Sequence, residues 1–131
     1  MHTIKIYLPL LARVLMCGLF IWDGVLQFRN PSGAAQYFAS VGVPVPGLAV
    51  WVAVAIQILG GLAILVGFKT RWAAAMLALF CLGTAFAVHL PAGDQSNMIH
   101  FYKNLVMAGG FLYVLSFGAG AFSIDAEAPA T

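Results

Sequence analysis

The sequence predicts an all-α fold: a polytopic membrane protein in which four transmembrane helices form a bundle, with a short interfacial helix between the first and the second. Three observations lead there. Of the 131 residues, 63% are hydrophobic and only 8% charged, whereas a soluble domain is usually about a quarter charged. The mean hydropathy is +0.98. Four stretches, 6–26, 48–68, 72–90 and 99–117, approach the roughly 20 apolar residues that a spanning helix needs. They leave no room for a separate soluble domain, so residues 1–131 are expected to form one transmembrane domain.

The first span begins like a secretory signal, but Arg13 interrupts its apolar region and no small-x-small cleavage site follows, so it reads as a retained helix. "VLMCG" fails as a lipoprotein box because Met16 stands before Cys17. The connection "QFRNPSGAAQYFASVGVPVPG" is too polar and too rich in Pro and Gly to span. Within it, Asn30 as N-cap and Pro31 at the first helical position predict a short helix. Tyr37 and Phe38 would seat that helix at the membrane interface, and Gly42, Pro44 and Pro46 would end it. Pro91, Gly93 and Asp94 mark a tight turn before the last span, and the tail "SIDAEAPAT" reads as frayed. Short loops rich in Lys and Arg stay in the cytoplasm. Lys5, Lys69 and Arg71 therefore place the N-terminus and C-terminus inside, with Arg29 and Lys103 outside.

Lipid supplies no hydrophobic drive between helices, so small residues at helical spacing mark their contacts. Ala53, Gln57, Gly60, Ile64 and Gly67 make such a stripe on the second span; Ala74, Ala78, Cys81 and Ala85 make one on the third. Gly24, Gly60 and Gly61 are accordingly expected to serve helix packing. Cys17 and Cys81 both fall near mid-span, which leaves open either a redox pair or two small packing residues.

Polar side chains inside a membrane are costly and face the bundle interior. At 1.5 Å rise per residue, Arg13 on the first span and Gln57 on the second come out only about 5 Å apart along the axis, which suggests a hydrogen bond between them. Asp23 and Gln27 on the first span, His89 ending the third, and His100, Lys103 and Asn104 opening the fourth gather toward the outer side. His100 and Asn104 are four apart and share a helix face. These groups read either as solvated helix ends or as a polar cavity. Arg13, Asp23, Gln57, His89, His100, Lys103 and Asn104 form the candidate ligand site.

Several functions are excluded or weakened. The net charge of +2 comes from scattered residues with no basic face, which argues against nucleic acid. "GLAILVGFKT" has the wrong glycine spacing for a phosphate loop. No thiolate or carboxylate stands at ligand spacing beside the histidines, so neither haem nor metal is expected. No nucleophile and base pair is visible, so no catalytic residue is named and activity as an independent enzyme is unsupported.

"ARVLMCGLFIWDGVLQF", "GVPVPG", "GGLAILVGFKTRWAAAMLALFCLGTAFAVH", "FYKNLVMAGGFLYV" and "GAGAFSID" together resemble the DoxX family of small bacterial inner membrane proteins, including its YqjF-type members. The resemblance covers nearly the whole chain. It implies a multi-pass protein of the bacterial cytoplasmic membrane, with Arg13, Gly24, Gly60, Gly61, Thr70, Arg71, His89, Lys103 and Asn104 at the family's recurrent positions. Many relatives have a glutamate where this chain has Gln57 and often a lysine where it has Gln27, and an amide cannot act as an acid or base. The family takes its name from a subunit of a thiosulfate:quinone oxidoreductase. The resemblance therefore implies a membrane subunit that binds a quinone or docks an oxidoreductase partner in a redox, oxidative-stress or detoxification system. The alternatives are a noncatalytic membrane scaffold or a small-solute transporter, the latter requiring a homo-oligomer to build a pathway from such small bundles.

Overall fold

The computed structural model describes residues 2–120 and 122–127, and among these no strand forms. The helices are α1 (His2–Arg29), α2 (Pro31–Ser40), α3 (Pro46–Val66) and α4 (Thr70–Thr84). α4 continues through a π-helical turn, Ala85–His89, into the single turn α5 (Leu90–Ala92); α6 (Gln95–Phe117) and α7 (Ile124–Glu127) follow. Among the described residues three helical stretches are long and apolar enough to cross a membrane: Thr3–Arg29, Pro46–Val66 and Thr70–His89. α6 matches them in length at 23 residues, but its first turns carry Asn97, His100, Lys103 and Asn104.

Local chemistry sets the helix ends. Asn30 caps α2, its Oδ1 accepting from the Gly33 amide at 3.2 Å, with Pro31 at the first helical position. α6 starts at Gln95, four residues before the apolar run suggested. Asp94 is its N-cap and accepts from the Asn97 amide at 3.3 Å. α3 stops at Gly67, whose φ of 72° lets its amide reach back to the Ala63 and Ile64 carbonyls, a left-handed C-cap that suits glycine. A side chain at Gly67 would collide with Ser123.

α1 packs on α3 and α4 on α6, and α3 with α4 joins the two pairs. Gly60 and Gly61 face opposite neighbours. A Cβ at Gly61 would lie 2.8 Å from Ile21 Cγ1 on α1, and one at Gly60 would lie 3.1 Å from Leu77 Cγ on α4. Gly24 closes the α1–α3 seam, where a Cβ would stand 2.6 Å from Ile58 Cγ1. The core centres on Cys17, Phe20, Ile64, Leu77, Cys81 and Phe111; Phe20 meets Phe111 edge-on at 5.2 Å. Cys17 and Cys81 are both buried free thiols within it.

The tail departs from the frayed end expected of it. The Asp125 amide donates to the Gly67 carbonyl at 2.8 Å, and the Asp125 carboxylate accepts from the Lys69 amide at 2.9 Å and the Thr70 amide at 2.8 Å. Phe122 stacks on Tyr7 at 5.5 Å. The reason is a need at α4: Lys69, at its N-cap, offers no side-chain cap, so the bare amides of the first turn take a carboxylate supplied from far along the chain. Residues 128–131 of the predicted frayed tail lie outside the described residues. The chain thus returns after α6 to the end of the bundle where α1 begins.

Candidate functional site

The predicted polar residues fall into two separate places. Arg13 is 1% exposed; its Nη1 donates to the carbonyls of Ile64 (3.3 Å) and Leu65 (3.0 Å), and its Nη2 to that of Phe122 (2.8 Å). The expected Arg13–Gln57 bond is not formed. α1 and α3 run antiparallel with Gly24 against Gln57 and Ile58, and Gly61 against Cys17 and Ile21. Arg13 therefore comes level with the C-terminal end of α3, and Gln57 with a point roughly 16 Å further along α1. Counting depth from the first apolar residue of each span misjudged the register, because α1 begins at His2 and the two helices slide past each other. With Asp125 capping α4 beside it, Arg13 belongs to a knot of backbone contacts and does not line the cavity that the other residues share. Burial pushes the Asp125 carboxyl up, but the bonds from Thr70 and Lys69 outweigh it and hold the group below the usual carboxylate range.

The other residues do converge. Asp23 and Gln27 from α1, Gln57 from α3, His89 from the π-turn, and His100, Lys103 and Asn104 from α6 line one cavity of about 300 Å³. Phe20, Phe38, Phe80 and Met107 supply apolar wall. A π-turn inside an α-helix is a recurrent feature of functional sites, and here it ends on His89.

One edge of the cavity is a hydrogen-bonded chain. Asn97 Nδ2 donates to Asp94 Oδ1 at 2.6 Å, which turns Asn97 Oδ1 toward Tyr37 and His89. Tyr37 Oη donates to it at 2.6 Å, and His89 Nδ1 stands 2.9 Å away. A carbonyl oxygen only accepts, so His89 Nδ1 is the donor in this contact. Burial pushes the Tyr37 phenol up, keeping it a donor. The bonds from Asn97 hold the Asp94 carboxyl below its ordinary value. On the opposite edge Asn104 Nδ2 donates to Thr84 Oγ1 at 2.7 Å, while that hydroxyl donates back to its own helix at Phe80 (3.0 Å) or Cys81 (3.2 Å). The His89 and His100 rings lie 5.2 Å apart. Among the described residues no group of three or more His, Cys, Asp or Glu gathers as a metal set.

Two atoms stand out from this network. Gln57 Oε1 and Gln27 Oε1 are buried and accept no hydrogen bond, although both side chains line the cavity. A buried acceptor left unmade costs about 1–3 kcal/mol. The amides of Gln27 and Gln57, the Lys103 side chain and the aromatic walls give this cavity a mixed polar and apolar lining.

Sequence reasoning missed Asn97, Thr84 and Asp94. The spacing D-x-x-N at 94–97 is an N-cap signal that would have started α6 earlier and brought Asn97 to the cavity. Thr84 carried no signal of its own, since a hydroxyl in an apolar helix more often bonds its own backbone. Tyr37 was legible only as an interface aromatic.

A sequence model described as DoxX matches residues 8–90. The chain is 42% identical over 116 residues to Inner membrane protein YqjF of Escherichia coli K12, spanning 88% of each. It is 38% identical over 123 residues to Inner membrane protein YphA of the same organism, spanning 90% of this chain and 88% of the relative. It is 32% identical over 88 residues to "Putative oxidoreductase CatD" of Bacillus subtilis 168, spanning 67% of this chain and 64% of that one. No solved structure matches it.

Proposed function

The chain belongs to the DoxX family, and from that premise we propose that it holds a quinone-type head group in its polar cavity. It acts as the inner-membrane subunit of a quinone-linked redox or detoxification system, in which an oxidoreductase partner exchanges the electrons.

The observation that carries this reading is the pair of partnerless oxygens, Gln27 Oε1 and Gln57 Oε1, in a cavity that also holds Lys103. A hydroquinone hydroxyl would donate to the amide oxygens, and a quinone carbonyl would accept from Lys103. Phe20 and Phe80 offer apolar faces to the ring. These residues bind and orient. Because Gln57 is neutral where many relatives are acidic, it does so without exchanging a proton. The word oxidoreductase in the name of the Bacillus relative is in keeping with this chemistry.

The same reading includes four crossings. Phe122 after α6 meets Arg13 and Tyr7 of α1, and termini at one end of a bundle require an even number of passes. α6 is less apolar because Lys103, Asn104 and His100 serve the cavity. Lys5, Lys69 and Arg71 favour placing that shared end in the cytoplasm, with α2 on the outer interface. A noncatalytic scaffold would account for the glycine contacts and the Arg13 knot, but it leaves the two oxygens without a role. Small-solute transport would need a continuous path.

The test is titration of a tail-less ubiquinone analogue into the protein in lipid nanodiscs, alone and with a co-purified partner. Saturable binding is expected, weakened about tenfold by Lys103→Ala and by His89→Ala. A linear, nonsaturable response in both preparations rejects the reading.

A further inference from the structure

We propose that the ligand is a tailed amphiphile that enters sideways from the bilayer, its hydrocarbon chain remaining in an apolar groove between α3 and the α4–π-turn rod. This rests on the proposed binding of a quinone-type head and names the class of molecule that carries it.

The groove encloses about 510 Å³, and none of its lining side chains is ionisable. Leu48, Val52 and Ile56 form one bank; Gly83 and Ala87 form the other. Val45, Leu48 and Val52 are exposed at its mouth, so in a spanning protein the groove opens to hydrocarbon. Its inner end is shared with the polar cavity. Phe38, Phe80, Thr84 and Val88 line both, so groove and cavity meet at this set of side chains, three of them on one stripe of the α4–π-turn rod.

The π-turn helps to make the junction. It sets Ala87 on the groove and His89 on the cavity, with Val88 on both. A polar head at His89 and Gln57 therefore has an apolar exit for a tail within a turn of its own site. A ligand without a tail would leave the groove to bilayer lipid.

Gly83 provides the test, because an added Cβ there meets nothing within 4 Å. Gly83→Leu should place a side chain in the groove that Gly83 lines, with its Cβ free of any clash. Gly109, equally open and outside both linings, gives Gly109→Leu as control. Affinities for decyl-tailed and tail-less ubiquinone analogues are measured in nanodiscs, each ligand compared between variants so that partitioning into lipid cancels. Gly83→Leu should weaken the tailed analogue by about tenfold or more through steric blockage and leave the tail-less one unchanged, with Gly109→Leu affecting neither. If both analogues bind and Gly83→Leu leaves both unchanged or weakens them equally, the groove is not the tail site and this inference falls while the head-group reading stands. If neither analogue binds saturably, the head-group reading falls and takes the inference with it.

Discussion

At one end of the bundle Arg13 is 1% exposed and three backbone carbonyls receive its guanidinium; midway along α3 Gln57 is 4% exposed and its Oε1 has no partner. Both are polar groups buried in an apolar chain, and composition alone would treat them alike. The knot at Arg13 is closed by the chain's own backbone and capped by Asp125, although the Thr70 hydroxyl oxygen beside it is buried without a bond. In the cavity, Gln27 Oε1 and Gln57 Oε1 receive no such answer. A buried polar group answered by its own fold contributes to stability, whereas one left unanswered calls for an explanation beyond the fold, and under the proposed function that explanation is a ligand.

Substitutions can break this contrast. The largest effect is expected from Arg13→Met, which strands the carbonyls of Leu65 and Phe122 and should cost about 3 kcal/mol. Thermal unfolding in detergent would report it, while ligand affinity per folded molecule stays near wild type. A loss of affinity at unchanged stability would erase the distinction. Gln57→Leu should do the reverse. Removing an unsatisfied acceptor should raise thermal stability by about 1 kcal/mol, and quinone-analogue binding should weaken severalfold. The companion Gln57→Glu would reveal a silenced acid if it made binding pH-dependent, and a purely structural amide if only stability changed.

Tyr37→Phe removes the 2.6 Å bond to Asn97 and should cost about 1 kcal/mol, with some ligand weakening as His89 loses a fixed neighbour. The smallest effect is expected from Asp125→Asn. The folded-state pKa of Asp125 is held down, so its stabilisation is present above the unfolded carboxylate value of about 3.9 and is lost as pH falls through the lower folded value. The wild-type melting temperature should therefore drop on acidification, and Asp125→Asn should flatten that part of the profile.

Much of the fold was legible because its signals are local. Apolar stretches of spanning length announce themselves in any window, and Asn30–Pro31 marked the start of α2 from two residues. The cavity was half legible: Asp23, His89, His100, Lys103 and Asn104 stood out as polar groups toward one end of the spans, and helical spacing grouped those on α6. Asn97 was hidden by starting the last span at the first continuous apolar run, although Asp94 held the signal. The expected Arg13–Gln57 bond failed for a different reason. The partners of Arg13, at Ile64, Leu65 and Phe122, are backbone carbonyls, and every residue has one, so no residue type could point to them.

By itself the sequence determined that this is a helical, membrane-type chain, where its helices begin and end to within a few residues, and which few side chains must answer for their polarity. Those are properties of a segment and its solvent. Only the tertiary structure decided the axial register of α1 against α3, which took Arg13 away from Gln57. It alone docked Asp125 on α4, joined the cavity to the apolar groove, and left two amide oxygens without partners. Register and docking are settled by which surfaces interlock across the bundle, Gly61 against Ile21 and Gly24 against Ile58, and such contacts join residues that are distant along the chain.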